Sequence, residues 1–62
     1  MESVIREQIL AVRDTGETNM LDINAVMRIA NREGYYELVV YLLEHKSEYA
    51  RFILTGKTKD EE

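Results

Sequence analysis

The sequence predicts an all-α fold: a small domain of three helices, or four if the last one breaks near Ser47, paired into a homodimer or larger assembly. Three observations carry that expectation. Apolar residues recur at helical rather than alternating spacing. The chain has no proline and three glycines, and each glycine follows a periodic apolar stretch, where a residue tolerant of left-handed backbone closes a helix. At 62 residues without cysteine, the core is small and unstapled, which leaves tight helix packing or self-association as routes to stability.

The first helix is expected from Ser3 to Asp14 or Thr15. Val4, Ile5, Ile9, Ala11 and Val12 share one side, Glu2, Arg6 and Arg13 lie on the other, and Leu10 projects from the polar side. Gly16–Leu21 reads as a loop, and Asp22 as an N-cap whose carboxylate meets the free amides of the next turn. The second helix, Ile23–Glu33, has an apolar face of Ile23, Val26, Met27, Ile29 and Ala30. Asn24, Arg28, Asn31 and Arg32 form its polar face.

Beyond Gly34, the run Tyr35–Leu43 is rich in β-branched and aromatic residues, as a strand would be. It lacks period-2 alternation, however, and Leu38, Leu42, Tyr49 and Ile53 keep helical phase well past it. One long helix is therefore expected from Tyr35 to Leu54, about 30 Å at 1.5 Å per residue. The polar stretch Glu44–Glu48 offers an alternative break, with Ser47 as cap. Apolar residues cover more than half of this helix, leaving an outward strip of Glu37, Tyr41, Glu44 and His45. Two short helices cannot cover so wide an arc, so Leu38, Leu42, Tyr49 and Ile53 are the expected oligomer interface. Residues 1–56 make one helical domain, and Lys57–Glu62 a charged, disordered tail.

Composition excludes more function classes than it selects. Eight basic residues against twelve acidic ones give a net charge of −4, the wrong sign for a general phosphate-backbone binder. No apolar run reaches the length of a membrane span, and Met1–Arg6 lacks the basic and apolar regions of a secretory signal. A cytoplasmic protein without cofactor is expected. Asp14-Thr15-Gly16 has the letters of an aspartic-protease triplet, but it ends an amphipathic helix, whereas that chemistry needs a β-rich fold presenting two such carboxylates. Gly56-Lys57-Thr58 mimics the end of a phosphate-binding loop, yet position 51 is Arg51 where the motif needs glycine. With one histidine and no cysteine, no metal set is expected, and no nucleophile–base pair points to an enzyme.

Two patterns hold weaker chemistry. Ala30, Gly34, Val40 and Leu43 have helix-turn-helix spacing, but Glu37 and Glu44 on the would-be recognition helix repel phosphate, and a generic helical hairpin explains the spacing equally. Arg28 and Arg32, one turn apart with Asn24 extending the stripe, suit an anion or an acidic partner. A solvated face paired with Glu33 and other acids is the plainer reading.

Taken together, Ile5–Arg13, Gly16, Thr18-Asn19-Met20, Asp22, Ala25-Val26 and Arg28-Ile29-Ala30 resemble a small uncharacterised family encoded in phages and prophages of Gram-positive bacteria. Tyr36–Val39, Glu44-His45-Lys46 and Phe52–Gly56 extend the resemblance over residues 5–56. It implies an accessory protein acting inside a bacterium, of a kind that often binds and inhibits a host or immune-defence component. The leading expectation is a non-catalytic protein that self-associates and binds such a protein. The alternatives are an oligomeric sponge for a nucleotide immune signal, using Arg28, Arg32 and a tyrosine, and a helix-turn-helix DNA-binding regulator.

Overall fold

The computed structural model describes residues 2–56, and the expected tail at 57–62 lies outside them. Four helices follow one another: α1 (Ser3–Thr15), α2 (Ile23–Glu33), α3 (Tyr36–Glu44) and α4 (Lys46–Thr55). No strand occurs among the described residues. Helix α3 is the hub and packs on each of the other three.

Helix ends are set by local chemistry. Gly16 and Gly34 close α1 and α2 in left-handed backbone, φ 65° and 78°. At Gly34 the Tyr35 N–H reaches back to the Ala30 carbonyl at 2.8 Å, satisfying an end carbonyl of α2 and turning the chain directly into α3. Asp22 caps α2 by accepting the Ala25 N–H at 3.2 Å. In the loop before it, the Asn19 side chain accepts from Leu21 N–H at 2.8 Å and its carbonyl accepts from Asp22 N–H at 2.9 Å.

The single long helix expected over Tyr35–Leu54 is two helices, as the alternative has it: the break falls inside the polar stretch Glu44–Glu48, at His45, with Ser47 inside α4 rather than capping it. His45 leaves helical geometry (φ −135°, ψ 47°) and serves both helices. Its N–H donates to the Tyr41 carbonyl at 2.7 Å, and its carbonyl accepts from Tyr49 N–H at 2.9 Å. Burial supplies the physical reason. A straight helix of about 30 Å would carry Tyr49 and Phe52 beyond α1 and α2. Breaking it folds both back into the core, a gain of about 1.5–3 kcal/mol for each large apolar side chain buried.

That return settles the core. Ile9, Val12, Val26, Ile29, Ala30, Leu38, Tyr41, Leu42, Tyr49 and Phe52 form one buried cluster. Leu38, Leu42 and Tyr49, expected at an oligomer interface, are wholly enclosed within the single chain, and Ile53 packs half-buried against them. Leu38, Leu42 and Tyr49 therefore present no surface to a second copy in this fold, and Ile53 only part of its own. Arg6 and Leu10, placed by periodicity on the polar side of α1, are half-buried. The Arg6 guanidinium sits over the Phe52 ring, 5.7 Å from its centroid, because α4 folds over that flank. Inside the core, the Tyr49 hydroxyl donates to the Met20 carbonyl at 2.6 Å, tying α4 to the α1–α2 loop, and burial pushes its pKa up to about 12.

Candidate protein-binding face

With Leu38, Tyr41 and Leu42 turned inward, α3 shows water a different strip from the one its sequence suggests. Tyr41, expected to point outward, is buried, with its ring against His45 at 5.3 Å between centroids. Tyr36, Val40 and Leu43 are exposed instead, at 62%, 52% and 61%. Their spacing along α3 places them in one line down the helix.

The N-terminal end of α1 runs beside this line. Gln8 joins the two helices: its Oε1 accepts the Leu38 N–H at 3.0 Å, and its Nε2 donates to Glu37 Oε1 at 3.0 Å. Between the helices lies a groove in two contiguous parts. A cavity of about 440 Å³ is lined by Glu2, Ile5, Glu37, Val40, Tyr41, Glu44 and His45. A second, of about 380 Å³, shares Glu2, Ile5, Glu37 and Val40 and adds Tyr36. Ile5, Tyr36 and Val40 give the groove an apolar surface, and three carboxylates stand around it. The hydrogen bond from Gln8, aided by a backbone N–H, lowers the Glu37 carboxyl pKa from its ordinary value. His45 is the one nitrogen base in the lining, and its Nδ1 faces Glu48 Oε1 at 3.8 Å. Such a surface can seat apolar side chains and pair with cations.

The stripe expected to contact an anion is only partly assembled. Arg28 and Arg32 line a concavity of about 530 Å³ with Glu17, Thr18, Ala25 and Ile29, while the exposed Asn24 stands apart from it. Arg32 is already engaged. Its Nη1 and Nη2 donate to the two Glu17 carboxylate oxygens at 2.9 and 2.6 Å, and its Nε donates to Glu33 at 2.9 Å. The Glu17 bond raises the guanidinium pKa further, and Arg32 in turn lowers that of Glu17. An incoming phosphate would have to displace this fork. The outward residues of α3 likewise include two carboxylates and no cation, the reverse of a helix that enters a phosphate-lined groove.

Tyr36, Val40 and Leu43 belong to the wide apolar arc that the sequence shows two short helices cannot cover, and Glu37 and Glu44 to its outward strip. The sequence does not show that Ile5 and Glu2 complete the groove, because that depends on how α1 crosses α3. Gln8 and Glu17 are missed altogether: their partners stand 30 and 15 residues away, and no local spacing announces them. Among the described residues, no group of three or more His, Cys, Asp or Glu side chains could hold a metal ion. No helix there is long and apolar enough to cross a membrane. Neither a curated protein nor a solved structure gives a significant match to the chain. A family model matches residues 1–57, nearly the whole sequence, and the chain thereby belongs to the family described as Domain of unknown function (DUF5049).

Proposed function

We propose that this chain is a small non-catalytic accessory protein of phages or prophages of Gram-positive bacteria. It acts in the host cytoplasm by binding a bacterial host or immune-defence protein through the α1–α3 face and inhibiting it. One observation carries the binding reading: Tyr36, Val40 and Leu43 stay in water although the core closes without them. A contiguous apolar strip with a polar rim is the usual form of a protein contact, and an exposed tyrosine within it is a favoured anchor. The phage setting rests on the resemblance of residues 5–56.

A second reading is favoured by the same line of residues. Tyr36, Val40 and Leu43 lie along one helix, so a twofold pairing of α3 with its copy would bury the strip on both chains. It moves the self-association interface from Leu38, Leu42, Tyr49 and Ile53 to the exposed side of α3.

Affinity capture from a host bacterium, run in parallel with wild type and Val40→Glu, tests the binding reading. The expected result is a specific protein held by wild type and lost by the variant, with circular dichroism showing both folded. Recovery of no specific protein, or equal recovery by both, would overturn it.

A further inference from the structure

We propose that the occupant of the α1–α3 groove is a cationic amphipathic helix of a partner protein. Its apolar side chains rest on Ile5, Tyr36 and Val40, and its lysine or arginine side chains meet Glu2, Glu37 and Glu44. This rests on the reading of the groove as a protein-docking face and names the chemistry of what docks there.

Shape and charge together choose this occupant. The exposed apolar residues of α3 form a single ridge, and the groove between that ridge and α1 is the kind of slot a second helix fills with its own i, i+4 row. Around the slot stand three carboxylates, with the Glu37 carboxylate held in place by the Gln8 amide at 3.0 Å. A second copy of this chain brings the same carboxylates with it, so twofold pairing sets like charges against each other as the groove dries. Nucleic acid and an anionic lipid surface are repelled for the same reason. A basic helix reverses the sign of every one of these contacts. The net charge of −4 adds attraction at longer range. Lysine or arginine stems also lie flat over apolar surface while their heads reach a rim, which suits a groove whose charges flank an apolar surface.

The test uses the full chain, isotope-labelled, with three synthetic probes of about 18 residues, long enough for several helical turns. One carries leucines at helical spacing on one face and lysines elsewhere, the second has glutamate for every lysine, and the third is a scramble of the first. The leucine–lysine helix is expected to bind and to move the amide resonances of Ile5, Glu37 and Val40. The glutamate and scrambled probes should bind at least about tenfold more weakly. Combined Glu37→Gln and Glu44→Gln should weaken the lysine probe about fivefold or more and flatten its salt dependence. Val40→Ser should weaken it without that flattening.

Equal binding of the lysine and glutamate probes overturns the cationic occupant while leaving a docking face. Absence of binding, with sedimentation showing a dimer that Val40→Ser dissociates, overturns it in favour of a second copy. Absence of binding by a monomer, or binding indifferent to Val40→Ser, overturns both the occupant and the docking face.

Discussion

Gln8, on α1, caps α3 from another helix: its side-chain oxygen takes the Leu38 N–H at 3.0 Å, where the N-cap residue Tyr35 offers no side-chain hydrogen bond. A helix start without a cap leaves amide donors unpaired. The bond thus does the work a serine or aspartate does elsewhere, while fixing how α1 lies against α3. Gln8→Ala should lower unfolding stability by about 1 kcal/mol, measured by urea denaturation. The Leu38 amide should also exchange with solvent faster than its neighbours. Unchanged exchange at Leu38 would count against the cap.

Tyr49→Phe removes the hydroxyl bonded to the Met20 carbonyl, at a cost of about 1–2 kcal/mol. The same hydroxyl gives an alkaline signature. Its pKa is raised in the fold from 10.0 to about 12, so the folded state holds the proton more tightly. Stability from this group is complete below pH 10 and is lost as pH rises toward 12. Unfolding midpoints measured across that interval should fall for wild type and fall less for Tyr49→Phe.

Acid acts through other groups. Glu17 and Glu37 both have carboxyl pKa values below the ordinary 4.5, Glu17 chiefly through Arg32 and Glu37 chiefly through Gln8. Their contribution is present above pH 4.5 and disappears as pH falls through the lowered folded values. Both sites are exposed, so the effect is small and reduced by salt. Glu17→Gln should make thermal stability less sensitive to acid, which calorimetry at several pH values would reveal.

Neighbouring positions on α3 should respond differently. Leu42 is enclosed, and Leu42→Ala should cost about 2–5 kcal/mol, enough to unfold much of so small a domain. Val40 is half exposed, and Val40→Ser should cost under about 1 kcal/mol. Similar losses at both positions would mean that the exposed strip is buried in solution.

Gly34 holds φ +78° with open space where a Cβ would stand, so any cost of Gly34→Ala comes from the backbone rather than from a clash. About 1–2 kcal/mol is expected, from the left-handed conformation an alanine must adopt there. Thermal denaturation would measure it.

Much of the fold is legible locally. The Ser3 and Thr15 bounds of α1, the Asp22 cap and the glycine closures all follow from short-range preferences, and the helices fall where those preferences put them. His45 is different. Apolar phase runs almost unbroken from Leu38 to Ile53, so periodicity alone reads one helix. The break is imposed by what Tyr49 and Phe52 gain on reaching the core. The excess apolar arc of α3 is real, but the chain's own other helices enclose Leu38 and Leu42, while Tyr36, Val40 and Leu43 stay open. For the candidate site, residue types were readable and their assembly was not, since the approach of Ile5 and Glu2 to α3 is a matter of tertiary packing.

The tie from Tyr49 to Met20 spans 29 residues and closes the core from its far end. During synthesis, the first three helices therefore emerge before Tyr49 and Phe52 can fill the interior they share. A nascent chain arrested before Tyr49 would be cleared rather than accumulated.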